Sequence, residues 1–152
     1  MIERYFEDYA VGSACEFGPV EVTEAEVLEF ARRFDPQPFH ADPAAAATGP
    51  YGGLIASGWH TCAMTMRLLV GHYLSPASSL GSPGVDELRW LRPVRPGDRL
   101  RVRVTVEEAR VSRGKPDRGI VRTLVESVNQ DGEVALRLVA TNLVLRRSQP
   151  AG

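Results

Sequence analysis

The apolar residues of this chain change their spacing once, and that change limits the folds open to it. Between Thr23 and Tyr73 they step by three and four: Val27, Phe30, Ala31 and Phe34 first, then Trp59, Cys62, Met66, Leu69 and Tyr73, with Ala63 and Val70 widening the second stripe. A helix turns once in about 3.6 residues, so each set falls on one face. After the Ser- and Gly-rich break from Ser75 to Gly84 the period becomes two, and Val102, Val104 and Val106 alternate with Arg101, Arg103, Thr105 and Glu107. That alternation belongs to a strand with one wet face. Helices followed by a run of antiparallel strands predict an α+β architecture, with one long, largely buried helix packed on a curved sheet.

Element boundaries are marked by cap and turn residues. Thr23-Glu24-Ala25-Glu26 has capping-box spacing, and Val22 is placed to staple onto Val27. Pro36 disfavours a helical conformation at Asp35, so the first helix stops there. Asp42, Pro43 and the alanines that follow open a second, short helix that Gly49-Pro50 closes. Between the two helices, Asp35 to Ala41 reads as a tight connection stiffened by Pro36 and Pro38. Val85 to Leu91 is a strand candidate, and Arg95-Pro96-Gly97-Asp98 is a turn. Ile120 to Val128 and Val134 to Leu145 form a hairpin across Asn129-Gln130-Asp131-Gly132. A chain of 152 residues supports one core of ordinary size, so residues 1–152 are read as a single domain with a frayed tail at 148–152.

Charge and composition remove several functions. Eighteen Lys and Arg stand against 19 Asp and Glu, a formal net charge of −1, which leaves no excess of cations to hold a polyanion. No nucleic-acid partner is expected, and the arginines between Arg89 and Arg122 are read first as the solvated faces of strands. Cys15 and Cys62 have no metal-type spacing with the three histidines, so neither a zinc site nor a disulfide framework is expected. The run from Ala56 to Val70 is interrupted by Ser57, His60, Thr61 and Arg67 and is too short for a bilayer. The N-terminus lacks the basic segment and apolar core of a signal peptide, so a cytoplasmic location is expected.

Chemistry concentrates in one stretch. Asp35 and His40 place a carboxylate and an imidazole five residues apart on that proline-stiffened connection, an acid/base pair on a firm support. Ser57-Gly58 follows, preceded by Tyr51-Gly52-Gly53 and leading at once into the long helix. The N-terminus of a helix offers unpaired N–H groups and a positive dipole end, and glycine lets a ligand oxygen approach the backbone. Gly58 is therefore a candidate oxyanion donor. Gln37, Gly53 and Ser57 are candidate substrate-binding residues. Taken singly each signal is bland, since Asp-Pro is ordinary turn punctuation and a lone histidine is more often structural. His60 and His72 are read that way.

The combination resembles the MaoC-like dehydratase and (R)-specific enoyl-CoA hydratase family. The resemblance rests on Asp35 to His40, with its spacing of aspartate, amide, proline, apolar residue and histidine, and on Gly52-Gly53-Leu54-Ile55-Ala56-Ser57-Gly58 running into a helix. Leu91-Arg92-Pro93-Val94-Arg95-Pro96-Gly97-Asp98 is similar to the family's strand-turn signature. It implies the hotdog fold, a curved antiparallel sheet wrapped around a buried helix, and pairing of two hotdogs into at least a homodimer. It also implies a hydratase or dehydratase acting on an acyl-CoA thioester, with no cofactor beyond the coenzyme A of the substrate. Asp35 and His40 would hold and deprotonate water and deliver a proton to the α-carbon, and the Gly58 N–H would bind the thioester oxygen. Gln37 stands where such proteins carry asparagine, and Ser57 where they often carry histidine. A hotdog thioesterase and a non-catalytic acyl-thioester-binding subunit are the competing readings. Met64, Met66 and Trp90 are expected to set the depth of the acyl tunnel.

Overall fold

The computed structural model describes residues 2–148. Apart from Ser148, the tail expected to fray lies outside the described residues. A single 3-10 turn at Phe6–Asp8 precedes five strands, β1 (Ala14–Glu21), β2 (Gly84–Trp90), β3 (Arg99–Val111), β4 (Arg118–Val128) and β5 (Val134–Leu145). Four helices lie between β1 and β2: α1 (Glu24–Phe34), α2 (Pro38–Ala41), α3 (Pro43–Ala47) and α4 (Gly58–His72). The strands form one antiparallel sheet in the order β1-β3-β4-β5-β2. This is the α+β hotdog arrangement.

Alternation in β3 does what its sequence requires. Leu100, Val102, Val104 and Val106 are buried, and Arg101 and Arg103 turn outward, where Arg103 meets Glu126 of β4 at 3.1 Å. Val121 and Val125 continue the inner face on β4, and Leu136, Leu138 and Ala140 on β5. Each such valine or leucine taken from water is worth roughly 1.5–3 kcal/mol, so this face contributes strongly to the drive to fold. Register shifts interrupt four strand pairings, at Phe17/Val20, Asp86/Arg89, Val106/Glu108 and Ser127/Val128. A bulge bends its strand and strengthens its twist, so these irregularities curve the sheet.

Two elements differ from the expected order. A strand comes before the α-helices: β1 buries only Phe17 and carries Gly18-Pro19 in its middle, so it shows no alternation to read. The stretch expected to be only a connection contains α2, one helical turn begun by Pro38, with His40 on it. The caps stand as expected in part. Thr23 accepts from the Glu26 N–H at 3.2 Å, Val22 and Val27 are both fully buried in one cluster, and Asp42 accepts from Ala44 and Ala45.

The face that α4 turns to the sheet is a correction. Leu69 and Tyr73 are buried as expected, but Trp59, Met66 and Val70 stand exposed, at 59%, 47% and 51%, while Thr61, Met64 and Thr65 are buried. This helix is apolar on more than one side, so periodicity alone cannot choose the side that packs. Polar pairing decides it: the Thr65 hydroxyl donates to Thr61 O at 2.8 Å and meets Ser127 Oγ at 2.6 Å. No helix among the described residues is long and apolar enough to cross a membrane.

Candidate active site

The site sits where the C-terminus of α1, the turn of α2 and the N-terminus of α4 converge. Asp35 is the C-cap of α1, its N–H donating to Ala31 O at 2.8 Å, and the following proline turns the chain away. His40 lies on α2, buried, with Nδ1 2.7 Å from Ile55 O. A carbonyl can only accept, so Nδ1 carries the proton and Nε2 is left to face Asp35. Nε2 stands 3.4 Å from Asp35 Oδ2, with the two side chains 8% and 19% exposed. The expected pair is thus together and nearly withdrawn from solvent.

Two donors and a neighbouring imidazole set the state of the carboxylate. Burial raises the Asp35 carboxyl, but the Gln37 amide at 2.8 Å on Oδ1, the Ser57 hydroxyl at 2.7 Å on Oδ2 and the nearby His40 outweigh it, holding Asp35 below its ordinary value. Asp35 is therefore an anion at neutral pH. Ser57 has a second importance. It is the N-cap of α4, yet its side chain makes no capping bond, because the hydroxyl is committed to Asp35. The first N–H groups of the helix are left open, and among the described residues nothing accepts from the Gly58 N–H.

Asp35, His40, Gly58, Thr61 and Trp90 line one cleft of about 410 Å³. Gln37 lines it too, although its amide is spent on Asp35. Two expectations change here. Ser57 is fully buried, does not line the cleft, and its hydroxyl donates to the Asp35 carboxylate. Gly53 lies against Arg95, whose Nη1 would be 3.3 Å from an added Cβ, and does not line the cleft. Of the tunnel candidates, Trp90 lines the cleft, Met66 lines a neighbouring cavity, and Met64 is buried in the core with Val22 and Val27.

Trp90 was not foreseen in its actual part. Its indole N–H donates to Gly58 O at 2.9 Å, and its ring lies on the Gly58 Cα so closely that an added Cβ would collide with Cε2. Gly58 is small to admit an indole, not only to admit a ligand oxygen. A contact across 32 residues leaves no local pattern to read. His60 stacks on Phe30 at 4.9 Å and His72 on Phe17 at 5.2 Å, neither in the cleft.

Comparison with known proteins gives one family. A model described as MaoC like domain matches residues 8–129. The crystal structure of the MaoC-like dehydratase from Rhodospirillum rubrum superposes with a TM-score of 0.89 at 43% identity, covering 97% of this chain and 100% of that one. The unliganded R-hydratase from Pseudomonas aeruginosa superposes at 0.77 with 26% identity, covering 97% and 92%. The 3-hydroxybutyryl-CoA dehydratase of Methylorubrum extorquens is 30% identical over 135 residues, 88% of this chain and 83% of that protein.

Proposed function

This chain belongs to the MaoC-like dehydratase family, and from that premise we propose that it is an acyl-thioester hydratase/dehydratase acting on enoyl-CoA and 3-hydroxyacyl-CoA. The observation that carries the reading is the shared use of Ser57: its hydroxyl holds Asp35 ionised and leaves the start of α4 uncapped beside Gly58. One cleft then holds the Asp35 carboxylate, the His40 imidazole and a free backbone N–H.

In the hydration direction a water hydrogen-bonded to Asp35 and His40 gives its proton to Nε2 as its oxygen bonds to the β-carbon. The electrons of the double bond move to the α-carbon and the thioester oxygen, where the Gly58 N–H and the dipole of α4 stabilise the enolate. Nε2 returns the proton to the α-carbon, and dehydration is the reverse. Asp35 orients the water and stabilises the transient imidazolium; Gln37 holds Asp35. The cycle needs no cofactor, and coenzyme A enters only as part of the substrate.

We further propose a cytoplasmic homodimer. Cys15 and Cys62 are free thiols, as a reducing compartment keeps them; cell fractionation checks the location. Val85, Trp90 and Leu91 on or beside the edge strand β2, and Trp59, Met66 and Val70 on α4, are apolar and exposed in the single chain. An open edge flanked by such residues suits a second copy.

The test is loss of conjugated-thioester absorbance on mixing the protein with trans-2-enoyl-CoA. Asp35→Asn and His40→Gln are each expected to lower kcat by about 10²-fold or more while melting stays near wild type. Wild-type rates in either variant contradict the mechanism. Release of free thiol in place of hydration would assign a thioesterase, and neither activity would assign an acyl-thioester binder.

A further inference from the structure

The catalytic cleft does not end in solid core. Beyond Trp59 lies a second cavity of about 260 Å³, lined by Cys62, Met66 and Leu69 of α4, Leu88 of β2 and Leu138 of β5, with no charged side chain among its walls. Trp59 lines both cavities. Its indole stands edge-on to Trp90, with ring centroids 5.2 Å apart and planes at 79°. The two rings meet across the gap between α4 and β2, and they are held differently. Trp90 is tied to Gly58 O. Trp59 is 59% exposed, and among the described residues its indole N–H donates to nothing, so little besides the ring contact holds it.

Only one part of the proposed substrate suits the inner cavity. A carrier bearing phosphates has no counter-charge there, whereas an uncharged apolar wall running along α4 from the oxyanion donor suits a hydrocarbon chain. We propose that Trp59 is the partition that sets acyl-chain length in this enzyme. With its indole against Trp90, the cleft accepts a short acyl chain, and loss of that indole opens the inner cavity to a longer one. This inference rests on the reading of the site as an acyl-thioester hydratase.

The experiment compares kcat/KM for four-carbon and ten-carbon trans-2-enoyl-CoA in wild type, Trp59→Leu, Trp59→Met and Trp59→Phe. Trp59 denies a longer chain the burial that each further methylene would otherwise gain and leaves it to clash with the partition, so wild type is expected to favour the short substrate by about tenfold or more. Trp59→Leu and Trp59→Met narrow that preference by about tenfold, and Trp59→Phe, which keeps a ring against Trp90, stays within about threefold of wild type. Using both Leu and Met guards against a folding defect in either one. If the preference is unmoved in the variants while the four-carbon substrate is still hydrated, or if wild type already hydrates the ten-carbon chain as well, the partition is overturned and the hydratase reading stands. A wild type that hydrates neither substrate overturns both.

Discussion

At the scale of single residues, the site is organised around how one carboxylate is held. Asp35 accepts from Gln37 on one oxygen and from Ser57 on the other, with His40 Nε2 nearby. Its folded-state carboxyl lies below the ordinary aspartate value, so these bonds contribute stability that is present above that ordinary value and is lost as pH falls through the lower, folded-state one. Removing a donor raises Asp35 and makes the anion harder to keep. In Ser57→Ala the acid limb of the pH profile of kcat/KM is expected to move upward, and Gln37→Ala moves it the same way. Rates with a short enoyl-CoA from about pH 4 to 8 check this, and a limb that stays put in both variants removes these residues from control of Asp35. Asp35, His40 and Gly58 could be picked out in the sequence because their spacing is local and each sits at a helix end. Ser57 was legible as a site residue but not in its role, since the target of a hydroxyl depends on a neighbour 22 positions away.

At the scale of elements, α4 and β2 press together at one point, where Trp90 lies on Gly58. An alanine at position 58 would thrust its methyl into the Trp90 ring. Gly58→Ala is expected to cost about 1–3 kcal/mol and to slow turnover by shifting the helix end. Trp90→Ala in the same chain should restore part of the stability, so a double-mutant cycle read by thermal melting should give a clear coupling term. Additive single effects would show that the ring and the glycine do not press on each other. The same junction marks the limit of the sequence reading. Helices α1 and α3 and the β4–β5 hairpin were legible because caps, prolines and a Gly turn are local chemistry. Strand β1 was not, because Gly18-Pro19 breaks it and Phe17 alone is buried along it. The packed face of α4 was hidden for another reason: Thr65 bonds back to Thr61 O four residues earlier and also meets Ser127, 62 positions away, so it sits in the core like an apolar residue.

At the scale of the whole molecule, the exposed edge of β2 is where a second copy is proposed to join. Val85 is 48% exposed there, and a charge at its position would be desolvated by any such pairing. Val85→Glu is expected to sediment as a monomer where wild type sediments as a dimer, with melting of the isolated chain changed by less than about 0.5 kcal/mol. A wild-type monomer at micromolar concentration removes the dimer. The open start of α4 also bears on how the protein could be hardened against heat. Installing aspartate as an N-cap is a common stabilising change, worth about 1 kcal/mol elsewhere. At position 57 that route is closed, because a second carboxylate would crowd Asp35 and cover the amides on which turnover is proposed to depend. Heat-tolerant versions of this protein would have to gain their margin far from this helix end.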